Sequence, residues 1–113
     1  MLTCELTFAD VRVDLLGQRA YVAGRDIGLS AKEMRLLTTL AAVAPEPVLV
    51  WDLWIEVIGR EMPTNPDLWS NTVPVHISRL RDKLVDRSLI VTATYGYALR
   101  EAVTLHSSLR GMR

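Results

Sequence analysis

The stretch Asn71-Thr-Val-Pro-Val-His-Ile-Ser-Arg-Leu-Arg-Asp-Lys-Leu84 does more than any other to decide the fold of this 113-residue chain. Its apolar residues recur at spacings of four, three and four: Val73, Ile77, Leu80 and Leu84. That spacing predicts one apolar face of a helix. Three basic residues lie off this face: Arg79, Arg81 and Lys83. A helix that packs by one side and is basic on the other is suited to a DNA groove.

The ends of this helix are also marked in the sequence. Ser70 or Asn71 can cap its first turn, and Pro74 falls within that turn, where a missing backbone N–H costs little. Residues 88–99 then alternate between apolar and polar side chains around Gly96, which predicts a β-hairpin. A basic helix followed directly by such a hairpin, or wing, is the arrangement of a winged helix-turn-helix domain.

The first 29 residues predict a small antiparallel sheet. Apolar residues alternate loosely with polar ones, and glycines at positions 17, 24 and 28 separate three or four short strands. Ser30 and Glu33 have the spacing of a capping box, which predicts a helix from about Ala31 to Ala44. Prolines at positions 45 and 47 then end that helix.

A second amphipathic helix is predicted to end at Gly59, from the spacing of four apolar residues: Leu53, Trp54, Val57 and Ile58. Residues 48–50 are expected as a short strand before it. Residues 60–69 contain two prolines and no periodicity, so they are predicted to form a loop. The predicted fold class is therefore α+β, with three helices, an N-terminal antiparallel sheet and a C-terminal β-hairpin wing.

One domain accounts for this organisation, because 113 residues leave room for a single core. It is predicted to span residues 1–100, with a sheet at 1–29, a three-helix core at 30–84 and the wing at 88–99. Residues 101–113 are polar and weakly patterned, and are expected to form a tail that is frayed or a short helix. We expect no phosphoacceptor receiver domain within this length.

Composition argues against an enzyme, a metal site or a bound cofactor. Cys4 is the only cysteine, and the only histidines, His76 and His106, are thirty positions apart. No glycine-rich phosphate loop is present. No apolar run reaches the roughly 18–20 residues that span a bilayer, and the N-terminus lacks the pattern of a secretion signal. We therefore expect a cytoplasmic protein with no membrane partner.

The net charge is zero, with thirteen basic and thirteen acidic residues, but the charges are unevenly distributed. Residues 46–67 hold five acidic residues against one basic residue, a net charge of minus four. Residues 68–100 hold five basic residues against two acidic ones, a net charge of plus three. One face of the molecule can therefore meet phosphate while another meets a different partner.

Three motifs together resemble the OmpR/PhoB-type winged-helix DNA-binding domain of bacterial response regulators. They are Leu29-Ser-Ala-Lys-Glu-Met-Arg-Leu-Leu37, the stretch from Asn71 to Leu84, and Thr92-Ala-Thr-Tyr-Gly-Tyr-Ala-Leu99. The resemblance covers the chain from Leu6 to Arg100. It implies that the third helix enters the major groove and that the wing reaches toward the minor groove. It also implies that the loop before the third helix can contact RNA polymerase.

The resemblance further implies roles for single residues. Three in the third helix match positions near the DNA backbone: Thr72, His76 and Arg81. Val75 and Arg79 match positions that face bases, and Thr92 matches a backbone contact at the base of the wing. These roles suit the side chains, because hydroxyl and imidazole groups donate to phosphate, arginine forks onto guanine, and a valine methyl meets thymine. The alternative for His76 is a solvated or helix-capping side chain without a ligand.

With their neighbours in the same two segments, these residues form the full set of candidate DNA contacts: Asn71, Thr72, Val75, His76, Ser78, Arg79, Arg81, Lys83, Thr92, Thr94 and Tyr95. The wing lacks the arginine that the family usually carries just before its glycines, since Thr94 or Ala93 stands there. Pro74 replaces a usual aspartate, and Ser78 stands where a second base is common. We therefore expect a sequence preference different from that of the family.

Two functions remain open. The first is a transcriptional regulator that binds double-stranded DNA sequence-specifically, with a homodimer on DNA as one option. The second is a winged-helix protein-interaction module that has lost most DNA binding, which the neutral net charge and the reduced wing favour. The basic third helix favours the first. In either case the acidic loop is the candidate contact for RNA polymerase or another regulator, through Met62, Leu68 and Trp69. The alternative for Trp69 is a core side chain that packs under the loop.

Overall fold

The N-terminal quarter of the chain folds into the predicted antiparallel sheet. A computed structural model describes residues 3–59 and 71–107. Four consecutive strands pair in chain order: β1 (Cys4–Phe8), β2 (Val11–Asp14), β3 (Arg19–Val22) and β4 (Arg25–Asp26). Val11 and Val13 are buried whereas Arg12 between them is exposed. The alternation in the sequence thus corresponds to one packed side and one solvent-facing side of the sheet.

Two helices follow the sheet. α1 (Ala31–Val43) begins at the predicted capping box, in which the Glu33 amide donates to the Ser30 hydroxyl and the Ser30 amide donates to the Glu33 carboxylate. It ends before Pro45, because a residue that precedes proline avoids the helical conformation. After the short strand β5 (Val48–Leu49), α2 (Val50–Ile58) ends at Gly59, whose φ of 81° is a left-handed conformation that suits glycine.

α3 (Thr72–Lys83) is the predicted basic helix. Asn71 occupies its cap position, although the Asn71 side chain makes no capping hydrogen bond. The predicted apolar stripe is buried: Val73, Ile77, Leu80 and Leu84. The predicted loop at residues 60–69, with its candidate partner contacts Met62, Leu68 and Trp69, lies outside the described residues.

The predicted wing follows α3 through one 3₁₀ turn, Arg87–Leu89. It consists of β6 (Ile90–Ala93) and β7 (Gly96–Leu99), and β5 pairs with β7 to give a second sheet of order β5-β7-β6. Gly96 is needed in this sheet, because a Cβ there would collide with the backbone carbonyl of Val48 on β5.

The C-terminal tail differs from the prediction. Thr104–Ser107 forms β8, which pairs antiparallel with β1 and becomes the fifth strand of the N-terminal sheet. The expectation of a frayed or helical tail is therefore wrong for residues 104–107, and the sheet continues past residue 100. The physical reason is that β1 would otherwise be an edge strand with unpaired backbone groups, which β8 satisfies.

The hydrophobic core lies where α1, α2 and α3 meet the two sheets. α1 supplies its centre through three leucines without measurable exposure: Leu36, Leu37 and Leu40. Leu53 and Trp54 from α2 and Leu99 from β7 pack into the same core, together with buried residues of the N-terminal sheet and α3. α3 packs into this core by one side, and its opposite side faces solvent. Within the described ranges, no helix has the length and apolar character needed to cross a membrane.

Candidate nucleic-acid interface

α3 has one buried side, two flanks and one exposed side. Successive residues on a helix are rotated by about 100°. The direction of the buried stripe therefore fixes the directions of all the remaining side chains of α3. One flank directs His76 and Lys83 toward α1, and the other directs Arg81 toward β6. The side opposite the core carries five exposed residues: Asn71, Val75, Ser78, Arg79 and Asp82.

The exposed side holds both residues predicted to face bases. Val75 and Arg79 are four positions apart and therefore one turn apart on the same side. Within the described residues, Arg79 makes no hydrogen bond or ion pair, so its guanidinium can form two bonds to a guanine edge. Asp82, one turn further on, pairs with Arg87. Because the Asp82 carboxylate would repel phosphate, only residues 71–79 of the exposed side are suited to contact DNA.

The flank toward α1 brings His76 beside a lysine that was not predicted as a site residue. Burial is the largest cause that lowers the pKa of His76, and the positive charges of Lys32 and Arg79 lower it further. The Glu33 carboxylate raises the pKa of His76, but by less than the other three causes lower it. His76 is therefore neutral near pH 7, with one N–H available as a donor. The capping box predicts where α1 begins, but no feature of the sequence indicates that Lys32 in its first turn lies near His76.

Lys83, a candidate DNA contact, lies off the apolar stripe but is bonded within the protein. Its Nζ lies 2.7 Å from Oε1 of Glu33 and 3.0 Å from the carbonyl oxygen of Gly28, so it joins the last turn of α3 to the start of α1. The Glu33 side chain is only 5% exposed, and its Oε2 has no hydrogen-bond partner among the described residues. Burial raises the pKa of Glu33, but hydrogen bonds from Lys83 and Ser30 outweigh burial and hold that pKa below its ordinary value. The charge of Lys83 thus neutralises a buried carboxylate.

Arg81 is engaged in the same way on the other flank. Its Nε and Nη2 donate to the carbonyl oxygen of Ile90 at 3.1 and 2.8 Å, and Nη2 also donates to Oγ1 of Thr92 at 3.1 Å. The guanidinium carbon lies 5.6 Å from the centre of the Tyr97 ring, within range of a cation–π contact. Arg81 and Thr92, two predicted backbone contacts, are thus bonded to each other.

The wing tip presents an aromatic side chain rather than a cation. Thr94 and Tyr95 form the turn between β6 and β7, and the Tyr95 side chain is 73% exposed. The Tyr95 backbone has a φ of 61°, and its carbonyl accepts a hydrogen bond from the Val50 amide at the start of α2. The tip is therefore held by its backbone while the phenol ring projects into solvent.

The described residues contain no group of three or more histidine, cysteine, aspartate and glutamate side chains that could hold a metal ion. His106 lies in β8, where its Nε2 is 2.9 Å from the hydroxyl of Thr7 on β1. The two histidines thus belong to different parts of the fold, one on α3 and the other on the N-terminal sheet.

The class of this protein follows from the family that its sequence matches. The model of the family described as "Transcriptional regulatory protein, C terminal" matches residues 24–99. The chain belongs to this family of OmpR/PhoB-type winged-helix DNA-binding domains. It is a transcriptional effector domain of the response-regulator type, and its family is not an enzyme class.

Particular relatives agree with this assignment. The chain is 36% identical over 95 residues to the transcriptional regulatory protein CseB of Streptomyces coelicolor, and 30% identical over 95 residues to CseB of Streptomyces avermitilis. Each alignment covers 84% of this chain and 39% of the relative, so the chain spans well under half the length of either CseB.

Solved structures also resemble the fold. The DNA-binding domain of Klebsiella pneumoniae RstA, determined in complex with the RstA box, has a TM-score of 0.72 and 26% identity, covering 84% of this chain and 95% of that one. The DNA-binding domain of CpxR from E. coli has a TM-score of 0.73 and 27% identity, covering 84% and 94%. The winged-helix fold and the family resemblance predicted from the sequence are thereby confirmed.

Proposed function

We propose that this chain is a transcriptional regulator that binds double-stranded DNA sequence-specifically, with α3 in the major groove. The observation that carries the proposal is the exposed side of α3, where Arg79 has no partner among residues 3–59 and 71–107 and Val75 lies one turn away. Thr72 and His76 lie next to them and can donate to the phosphate backbone, while Arg79 and Val75 can distinguish guanine and thymine. The RstA domain solved with the RstA box supports DNA as the ligand class.

A single copy should bind weakly. Lys83 and Arg81 already bind internal acceptors, so few cations remain to neutralise phosphates. Two copies on adjacent half-sites would gain affinity, because the second contact becomes effectively intramolecular. We therefore propose that the functional form is a homodimer assembled on paired half-sites.

A salt titration tests the proposal. Affinity for a mixed-sequence duplex and for a duplex selected by the protein is measured as the salt concentration rises. We expect a log-log slope of about −2 to −4, because each contacted phosphate contributes about −0.9. A slope near zero for both duplexes would remove the DNA-binding function.

The two lysines of the chain provide a matched pair of variants for this experiment. Lys32 has an exposed position near His76, whereas Lys83 is paired with Glu33. Lys32→Gln should make the log-log slope shallower by about 0.9, the contribution of one phosphate. Lys83→Gln should leave the slope unchanged but lower the stability of the fold. The reverse result would mean that Lys83, and not Lys32, faces the phosphates.

A protein contact is the second candidate function, and α2 favours it. Trp51 and Ile55 lie one turn apart and are 46% and 47% exposed. The carboxylates of Asp52 and Glu56 are exposed beside them. The two carboxylates would repel phosphate. Exposed apolar side chains with acidic neighbours instead suit contact with a basic protein surface. RNA polymerase or another regulator is the proposed partner class, together with the contacts predicted at Met62, Leu68 and Trp69.

The protein contact can be separated from DNA binding by a double variant, Trp51→Ala with Ile55→Ala. We expect unchanged circular dichroism, unchanged DNA affinity and reduced transcription from a target promoter. Unchanged transcription would eliminate α2 as a contact. The pure interaction module is excluded if the wild-type chain binds DNA with the salt dependence expected above.

A further inference from the structure

We propose that Arg81 is a positioning residue that fixes the wing against α3 and orients the Thr92 hydroxyl toward DNA, rather than a separate phosphate contact. The Thr92 part of this inference rests on the proposed DNA-binding function. The wing part concerns the free protein and can be tested without DNA.

One guanidinium contacts three residues on both strands of the wing. It donates twice to the Ile90 carbonyl and once to the Thr92 hydroxyl, both on β6, and it lies over the ring of Tyr97 on β7. Thr92 and Tyr97 are directly paired across the hairpin. This set of contacts requires a flat group with several N–H donors, which arginine has and lysine lacks.

The strand that Arg81 holds is at the edge of its sheet. In the part of the chain that the structure describes, the order β5-β7-β6 gives β6 a strand partner on one side only. The Leu89 carbonyl points toward β7, because it accepts a hydrogen bond from the Arg100 amide that follows β7. Successive carbonyls along a strand point in opposite directions. The Ile90 carbonyl therefore points to the open edge, where Arg81 supplies its donor. Arg81 thus joins the open edge of the wing to the recognition helix.

The bond to Thr92 also prepares that residue for phosphate. When the Thr92 oxygen accepts from a cation, its own O–H remains free to donate. A hydroxyl that accepts a hydrogen bond from a charged group donates its own hydrogen bond more strongly than one that does not. Thr92 is exposed, and it is the predicted backbone contact at the base of the wing. Arg81 would therefore act on DNA through Thr92, and through the distance that it sets between α3 and the wing.

Amide hydrogen exchange of the free protein tests the wing part. In Arg81→Lys and Arg81→Ala we expect the amides of β6 and β7 to exchange about tenfold faster, because the wing opens more often. Arg79→Lys is the matched control, since Arg79 lies on the same helix and bonds to none of the described wing residues, and it should leave wing exchange unchanged. Wild-type exchange in Arg81→Lys would overturn the inference. Because the lysine variant keeps the charge, it remains informative if Arg81→Ala fails to fold.

Affinity for a duplex tests the Thr92 part. We expect Arg81→Lys to lose about tenfold, nearly as much as Arg81→Ala, and Thr92→Val to add little once Arg81 is replaced, because residues that act as a unit are not additive. A lysine variant with wild-type affinity, or additive losses at the two positions, would identify Arg81 as an independent phosphate contact and overturn the inference. If the wild-type chain does not bind DNA, the proposed function and the Thr92 part fall together, while hydrogen exchange still decides the wing part.

Discussion

The exposed side of α3 and its two flanks carry similar basic residues and use them differently. On the exposed side, Arg79 has no internal partner within the described residues, and His76 close to it is neutral beside Lys32. In the last turn, Arg81 is bonded to the wing and Lys83 to the buried carboxylate of Glu33. The difference lies in the neighbours and not in the side chains. A basic residue is available to phosphate only where the fold provides no internal acceptor for it.

Replacing Lys83 should give the largest effect on this comparison. Lys83→Met leaves the Glu33 carboxylate buried without its cation, so we expect the free energy of unfolding to fall by about 2–3 kcal/mol. The loss should be smaller than for a fully buried pair, because the Lys83 side chain is 36% exposed. Urea unfolding measures it, and Lys32→Met is the control, with an expected change within about 0.5 kcal/mol.

The same pair makes stability depend on pH. The pKa of Glu33 is lowered in the folded chain, so its stabilising contribution is present above the ordinary glutamate pKa and is lost as the pH falls through the folded value. Lys83→Met should weaken this acid dependence. If Lys83→Met also unfolds at the wild-type urea concentration, the flank and the exposed side of α3 do not differ in the way proposed.

On the exposed side of α3, Arg79→Ala should weaken specific DNA binding by about 1–3 kcal/mol and relax the preference at one base position, as expected for loss of a two-bond contact to a base. Binding to a set of duplexes with single base changes measures both effects. An equal loss for every duplex would show that Arg79 contacts phosphate and does not recognise a base.

A third prediction concerns the backbone conformation of Val85, just after the last turn of α3. Val85 has a φ of 71° and is 74% exposed, so a β-branched residue occupies a left-handed conformation with little packing to compensate. Val85→Gly should therefore raise the free energy of unfolding by about 1 kcal/mol. The same substitution at Val75, which is helical and exposed, should lower it by up to about 1 kcal/mol. Thermal unfolding of the two variants compares them, and a loss at both positions would contradict the strain at Val85.

The smallest expected effect is a pH dependence of DNA binding. His76 has a lowered pKa in the free protein, so it is mostly neutral at pH 7.5. A phosphate beside it would favour the charged form and raise its pKa in the complex. Affinity should then increase about two- to fivefold between pH 7.5 and pH 6, because binding takes up a proton. The His76→Gln variant should show a flatter profile, and equal profiles would remove His76 from the interface.

Much of the fold could be predicted because its signals are local. The capping box of Ser30 and Glu33, the apolar stripe of α3 and the alternation around Gly96 each involve residues only a few positions apart. Helical hydrogen bonds and hairpin pairs form over the same short separations, so such patterns predict them directly. The strand β8 was missed because it pairs with β1 about a hundred residues away, and a short polar segment gives no sign of so distant a partner.

For the candidate site, the amino-acid sequence by itself determined which side chains α3 carries and which of them lie off its buried stripe, because a 3.6-residue repeat fixes those directions. Only the tertiary structure decided which of these side chains are free. Lys83 meets Glu33 from fifty positions away, and Arg81 meets Ile90 and Thr92 across the turn that follows α3. Such contacts depend on how separate elements pack, and buried polar groups select whichever partner that packing brings within hydrogen-bond distance.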